Sequence, residues 1–164
     1  IDTQAKQLQE VCTHMAAHDG AAVVEVLQNC VIFNDGAHKE VTDKEVRDDR
    51  QLWLEHGKPM IFGKNRDKGI VLRGTRLEVV TIGENGITED DILVHDETTE
   101  NTGIHMMLAQ MRPPQFPMAF GVIRAYKQPT YNQLFEKQMQ EAQENPKIKC
   151  VDDLLNSGET WEVK

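Results

Sequence analysis

Cysteine is scarce in this sequence. The 164 residues include three cysteines, Cys12, Cys30 and Cys150, which are widely spaced and form no CxxC pair. An odd number of distant cysteines argues against a disulfide framework and favours a reducing, cytoplasmic environment. Three cysteines also cannot supply a four-cysteine metal site, so such a site would need ligands from outside this chain.

Long hydrophobic runs are missing too. No apolar stretch approaches the ~20 residues of a membrane-spanning helix, and the first residues lack a signal-peptide pattern. The formal net charge is -9. Because an acidic chain is repelled by phosphate backbones and anionic lipids, we expect no nucleic-acid or membrane partner. The chain begins at Ile1 without an initiator methionine, which favours a fragment of a longer protein.

A basic loop, residues 63–69 (GKNRDKG), stands out in this acidic chain. It has the composition to meet a phosphate or carboxylate. The alternative is an ordinary exposed hairpin turn. The spacing is not that of a P-loop, and the sequence has no GxGxxG fingerprint.

Hydrophobic periodicity predicts an α/β fold. Residues 3–17 have the pattern of an amphipathic helix. Its apolar face comprises Leu8, Val11, Cys12 and Met15. Residues 21–27 are nearly continuously apolar, which is typical of a buried parallel strand. A helix that leads into such a strand is the repeating pattern of α/β domains.

The middle of the chain changes character. Residues 43–55 are charged and predicted to be helical. Short alternating runs separated by glycine predict a small antiparallel excursion. Its strands are predicted at residues 59–62, 69–72 and 77–82. The sequence then predicts a short strand at 92–94, a polar loop at 95–100, a helix at 101–111 and a strand at 118–123.

From residue 129 onward the composition is that of a tail. Residues 132–144 are predicted to form a helix rich in Gln and Glu, and residues 151–155 a further short helix. The apolar side chains Leu154, Leu155 and Trp161 need another protein surface to shield them from solvent. We therefore divide the chain into a domain at residues 1–128 and a helical tail at 129–164 that packs on a partner subunit or dimer mate.

Cys30 is the principal candidate for chemistry. It follows the predicted strand at 21–27, and ligands of open α/β sheets sit in the loops after strands. One reading is a small buried hydrophobe, which is the common state of a free cysteine. Another is one thiolate of an iron–sulfur cluster whose other ligands lie elsewhere. A nucleophile is a third reading, but no feature of the sequence supplies a paired base.

The six histidines carry weaker signals. His14 and His18 have the i, i+4 spacing of a helical metal site, but no third ligand is near, so we predict surface residues. His95 precedes two carboxylates, and the polar composition there predicts a solvated loop. His38, His56 and His105 stand alone.

Several stretches resemble one family, the β subunits of 2-oxoacid:ferredoxin oxidoreductases, and in particular its 2-oxoglutarate-type members. The matching stretches cover nearly the whole chain. They are residues 24–36 (VEVLQNCVIFNDG), 47–50 (RDDR), 54–59 (LEHGKP), 62–70 (FGKNRDKGI), 92–96 (ILVHD), 116–125 (FPMAFGVIRA) and 157–161 (SGETW).

The resemblance implies a fold, a reaction and a set of partners. The fold is part of a thiamine-diphosphate-binding domain, with a parallel sheet flanked by helices. The reaction is oxidative decarboxylation of a 2-oxoacid with coenzyme A, in which electrons pass through a 4Fe–4S cluster to ferredoxin. Thiamine diphosphate and a magnesium ion carry the difficult chemistry. The implied partners are the α subunit, ferredoxin, coenzyme A and a 2-oxoacid.

The family's functional residues carry over at one position. Cys30 matches the cluster cysteine in the loop after a core strand, where backbone N–H groups can be aimed at sulfur and Val31, Ile32 and Phe33 can shield it. The family's other cluster cysteines and its magnesium- and diphosphate-binding motif have no counterpart here. We therefore expect this chain to be inactive alone, with Cys12 and Cys150 structural.

Two other functions compete with this hypothesis. The first is a non-catalytic interaction module that docks a partner through its acidic tail. The second is half of a cluster-free thiamine-dependent decarboxylase, which would leave Cys30 idle. Iron content separates the redox enzyme from the decarboxylase.

Overall fold

A computed structural model describes residues 1–144, 146–161 and 163. Contacts divide the chain into two compact units, Ile1–Lys127 and Gln128–Lys164. The first unit is a mixed α/β structure with one parallel strand pair, one antiparallel sheet and short helices. The predicted α/β class is therefore confirmed. None of the helices in the described ranges has the length and hydrophobicity to cross a bilayer.

The first unit opens with helix α1 (Ala5–Ala16), close to the prediction. Two four-residue helices follow, α2 (Lys39–Thr42) and α3 (Arg47–Arg50), and the chain then enters strand β1 (Gln51–Leu54). Of the predicted helix at 43–55, only residues 47–50 are helical: residues 43–46 form a turn and residues 51–54 a strand. Leu52 and Leu54 are buried on β1, and this burial outweighs the helical preference of the charged residues before it.

The antiparallel excursion is confirmed. Strands β2 (Ile61–Phe62), β3 (Lys68–Arg73) and β4 (Arg76–Thr81) form a sheet in that order. Gly74 adopts a φ of 60° in the two-residue turn between Arg73 and Arg76, which pair across it. A positive φ is the conformation such a tight hairpin turn needs, and glycine reaches it without a Cβ clash.

The parallel pair joins distant parts of the sequence. After a short 3-10 helix (Glu89–Asp91), helix α4 (Gly103–Gln110) leads into β5 (Met118–Gly121). Strand β5 runs parallel to β1, with Gln51 opposite Met118 and Leu54 opposite Gly121. The carboxyl ends of both strands therefore lie at the same edge. Leu52, Ile70 and Leu108 are fully buried at the centre of the core that supports this pair.

Residues 21–27 do not form the predicted strand. They run without regular secondary structure, and Val23 is 95% exposed. Within the described chain, this stretch makes one backbone hydrogen bond, from the Asp2 N–H to the Leu27 carbonyl at 3.1 Å. A strand needs a neighbour that pairs its N–H and C=O groups, and no described strand fills that role here.

The second unit is helical. Helix α5 (Tyr131–Glu144) is followed by α6 (Val151–Leu155), as the sequence predicts. Both helices carry exposed apolar side chains. They include Tyr131, Leu134, Phe135 and Met139 on α5, and Leu154 and Leu155 on α6.

Candidate functional site: the Cys30 loop

Cys30 lies in an exposed loop between residues 21–27 and α2. The loop closes through an isolated antiparallel bridge between Cys30 and Asn34, in which the Asn34 N–H donates to the Cys30 carbonyl at 2.9 Å. The interpretation of Cys30 as a small buried hydrophobic residue is therefore wrong. The thiol is accessible to a ligand or a reagent.

Asn29 fixes the base of this loop. Its side-chain oxygen accepts from the Gly36 N–H at 2.8 Å, and its Nδ2 donates to Asp35 at 3.0 Å. Gly36 adopts a φ of 75°, which lets the chain turn back towards Asn29. Asn29 is a positioning residue that was not predicted, although its place immediately before Cys30 in a turn-rich stretch is a usable signal.

Asp2 holds the same loop from outside. Its N–H donates to the Leu27 carbonyl at 3.1 Å, and its carboxylate accepts from the Asn29 N–H at 3.1 Å. Residues on either side of Gln28 are therefore both bonded to Asp2. We call this pair of bonds the Asp2 clamp.

Backbone N–H groups near Cys30 affect the ionisation of its thiol. Hydrogen bonds from the N–H groups of Phe33 and Ile32, with a smaller contribution from Asn34, hold the pKa of the Cys30 thiol below its ordinary value. A slight loss of hydration acts in the opposite direction. Donors of this kind stabilise a thiolate, which is the form that ligates a metal. The loop therefore fits a thiolate ligand.

The apolar residues after Cys30 do not shield it in the way the sequence suggested. Val31, Ile32 and Phe33 are all strongly exposed, and Phe33 retains 89% of its accessible surface. Side chains that face solvent do not exclude water from the sulfur. Within the described residues they instead form an apolar patch beside the thiol, which needs cover from another surface.

Cys30 has no set of partner ligands among the residues that the structure describes. In this described part of the chain, no group of three or more His, Cys, Asp or Glu side chains is arranged to hold a metal ion. Cys12 is half-buried on α1, and Cys150 begins α6, where its sulfur accepts from the Asp153 N–H at 3.5 Å. If Cys30 binds a cluster, the remaining ligands come from elsewhere.

The basic loop at 63–69 is a turn between β2 and β3. Lys68 donates to the Asp49 carboxylate at 2.7 Å, and this contact is the main reason that the pKa of Asp49 is lowered. Arg66 adopts a φ of 54°, a conformation typical of a turn residue. A lysine already paired with a carboxylate is a poor anion ligand, so these contacts favour the hairpin-turn alternative.

His95 is not the solvated residue that the sequence predicted. It is 1% exposed, and its Nε2 lies 2.9 Å from the Val122 carbonyl. His105, which appeared isolated in the sequence, is also buried, with its Nε2 2.8 Å from the Asp96 carbonyl. Polar neighbours in sequence hid this burial, because the rings contact residues of a distant segment, Val122 and Arg124.

His14 behaves as predicted and is exposed. Its Nε2 lies 3.7 Å from the Glu97 carboxylate, and the spacing to His18 is not used for a metal site among the described side chains.

Comparison with known proteins gives one informative match. No family model matches the chain, and no solved structure does. The chain is 31% identical over 166 aligned positions to the 2-oxoglutarate oxidoreductase subunit KorB of Mycobacterium tuberculosis. The alignment covers 99% of this chain but 44% of the relative, so the chain spans less than half of that subunit's length. The match supports the resemblance to 2-oxoacid oxidoreductase β subunits. Nearly all of this chain aligns with part of an oxidoreductase subunit.

Proposed function

We propose that this chain is part of the thiamine-diphosphate-binding β subunit of a 2-oxoacid:ferredoxin oxidoreductase, with 2-oxoglutarate as the substrate. The observation that carries the proposal is the similarity to KorB along nearly the whole chain. The α/β fold and the Cys30 loop agree with it. The enzyme would be a cytoplasmic hetero-oligomer with an α subunit, and it would use coenzyme A and ferredoxin.

Cys30 is the residue of this chain that we assign to the cluster. The N–H groups of Phe33 and Ile32 lower the pKa of the Cys30 thiol and so favour the thiolate, which is the form that ligates a metal. When bound, a 4Fe–4S cluster supplies one-electron transfer between the substrate's oxidation and ferredoxin. The chain contributes one ligand, and other cysteines of the complete subunit would provide the rest.

Thiamine diphosphate and magnesium would be held by residues outside this chain. The described side chains include no cluster of carboxylates arranged for a metal ion. The role of this chain in cofactor binding is therefore limited to the surrounding sheet and to the loops at the carboxyl ends of β1 and β5, where α/β proteins bind their ligands.

The test is an anaerobic assay of the complete β subunit with its α subunit, which follows reduction of a viologen dye. We expect reduction with 2-oxoglutarate that depends on coenzyme A. Activity with pyruvate alone would overturn the substrate assignment and retain the family. If iron-replete protein fails to reduce the dye with every 2-oxoacid tested, the proposed function is overturned.

Variants of the same complex test the assignment of Cys30. Cys30→Ala should lower iron content and bleach the spectrum of the reduced cluster, whereas Cys12→Ala serves as a matched control and should retain both. Equal iron in the two variants would remove Cys30 from the ligand set.

A second function is favoured by the tail. Helix α5 exposes Tyr131, Leu134, Phe135 and Met139 at helical spacing, and Tyr131 stacks on Phe135 with ring centroids 6.2 Å apart. Such an apolar stripe is typical of a helix that docks on another chain. We propose that the tail contacts the α subunit or a second β subunit. Charged substitutions at Leu134 and Met139 should then weaken subunit association in analytical ultracentrifugation.

A further inference from the structure

Two buried histidines take no part in the proposed function. His95 and His105 are 1% and 4% exposed, and their ring centroids lie 6.2 Å apart in an edge-to-face arrangement. They lie beside the segments that follow β1 and β5, at the carboxyl edge of the parallel pair. A titratable pair buried at this edge can couple pH to the arrangement of nearby loops.

The contacts of His105 fix its protonation state. The Arg124 Nη1 lies 3.2 Å from His105 Nδ1. A guanidinium carries only donors, so Nδ1 must be the unprotonated acceptor. The proton of a neutral ring is then on Nε2, which lies 2.8 Å from the Asp96 carbonyl and donates to it. The contacts of His105 are therefore those of a neutral ring, with one nitrogen donating and the other accepting.

The same guanidinium nitrogen holds a loop in place. Arg124 Nη1 also donates to the Thr99 carbonyl at 2.6 Å. A backbone bond from the Ala125 N–H to the Glu97 carbonyl, at 2.7 Å, lies alongside it. Residues 95–99 are thus bonded to residues 122–125 through Arg124 and the adjoining backbone.

We infer that His105 and Arg124 form a proton-sensitive latch, which holds the loop at residues 95–99 against residues 122–125 when His105 is neutral. Protonation converts His105 Nδ1 from an acceptor into a donor. An N–H of the cationic His105 ring then faces an N–H of the Arg124 guanidinium, with the two nitrogens 3.2 Å apart. Arg124 must then move away. Because the same Nη1 atom donates to the Thr99 carbonyl, that hydrogen bond is lost as well.

His95 strengthens the preference for a neutral cluster. Its Nε2 donates to the Val122 carbonyl, and its Nδ1 is a buried atom for which the described residues supply no hydrogen-bond partner. Burial is the main cause that lowers the pKa of His95. A second proton on this ring would bury both a charge and an unpaired donor.

Other ionisable groups face the pair and modify the response. His56 Nδ1 lies 3.7 Å from the Asp96 carboxylate, and His14 Nε2 lies 3.7 Å from the Glu97 carboxylate. The two carboxylates favour protonation of nearby imidazoles, whereas Arg124 and neighbouring imidazolium groups oppose it. The charged and titratable groups around the latch are His14, His56, His95, Asp96, Glu97, Arg124 and Tyr126, whose ring centroid lies 4.7 Å from the Arg124 guanidinium carbon.

Hydrogen exchange of the complete subunit tests the latch. Amide protection of residues 122–126 would be measured at about pH 7.5 and at about pH 5.5. The values would be corrected for the chemical dependence of exchange on pH. We expect protection to fall about tenfold or more on acidification, the size expected when a hydrogen bond to a charged group is lost.

Matched variants decide whether His105 is responsible. His105→Gln cannot gain a charge, so its protection should not change with pH, whereas His18→Gln should respond as the unmodified protein does. Wild-type protein without an acid response, or His105→Gln with the full response, would overturn the latch. If His105→Gln fails to fold, Arg124→Gln provides the second test. It should show low protection at both pH values, and a full acid response in it would also refute the proposal.

Discussion

Trp53 stacks on Phe120 across the parallel strand pair, with ring centroids 5.3 Å apart and an angle of 26° between the rings. The two residues are direct partners in the register of β1 and β5. Trp53 Nε1 also donates to Gln51 at 3.0 Å, so its ring is held from two sides. This contact ties together strands that are more than sixty positions apart in sequence.

A double-mutant cycle should detect this stacking as a coupling free energy. Trp53→Ala and Phe120→Ala, separately and together, should give an interaction of about 0.5–1.5 kcal/mol in urea unfolding of the complete subunit. Trp53→Phe keeps a ring without the N–H donor and should retain most of the coupling. Strictly additive losses would mean that the two rings do not interact.

Two leucines should differ sharply in their contribution to stability. Leu52 on β1 is fully buried, whereas Leu72 on β3 is 40% exposed. Leu52→Ala should lower the free energy of unfolding by about 2–5 kcal/mol, since it leaves a cavity in the core. Leu72→Ala, the matched control, should cost about 1 kcal/mol or less. Denaturant titration compares the two, and equal losses would contradict the packing described here.

Gly121 should not tolerate a side chain. It has a φ of 96°, and a Cβ there would lie 2.8 Å from the Leu54 carbonyl oxygen. Gly83 has a φ of 89° but open space around it, so Gly83→Ala isolates the backbone strain of about 1–2 kcal/mol. Gly121→Ala should cost more than this control in thermal or urea unfolding, because β1 and β5 must move apart. A cost equal to that of Gly83→Ala would show that the strands do not approach so closely.

Cys30 should react with iodoacetamide at a lower pH than an ordinary thiol. Its pKa is lowered by the N–H groups of Phe33 and Ile32, so the reactive thiolate is more abundant at neutral pH and disappears only when the pH falls below the lowered value. In metal-free protein with Cys12→Ser and Cys150→Ser, the rate profile should have its midpoint below about 8.5.

A matched variant identifies the cause of that shift. Asn29→Ala removes the contacts to Asp35 and Gly36 that shape the loop, and it should move the midpoint upward towards the free thiol. A midpoint at or above about 8.5 in the parent protein would mean that the N–H groups do not reach the sulfur.

Local patterns predicted much of this fold. The two strands of the β3–β4 hairpin and helices α1, α4, α5 and α6 lie close to their predicted ranges. The backbone N–H and C=O groups of these elements have hydrogen-bond partners that are near in sequence. Their signals are therefore contained in the segments themselves.

The missed elements depend on distant partners. Residues 21–27 have the composition of a buried strand, but composition does not supply the neighbouring strand that their N–H and C=O groups need. The segment at 51–54 shows the reverse case. It follows a charged, helix-like stretch, and pairing with β5 makes it a core strand. His95 and His105 were misread for the same reason, since their burial depends on residues 122–124.

The Asp2 clamp bonds the backbone that precedes Cys30 to a residue outside the Cys30 loop. Asp2 lies three residues before α1 and is bonded on both sides of Gln28. A displacement at the start of α1 must therefore be transmitted to the residues that precede the thiol. The alkylation rate of Cys30 consequently serves as a chemical probe of α1, and it will report any event that moves the first turn of that helix.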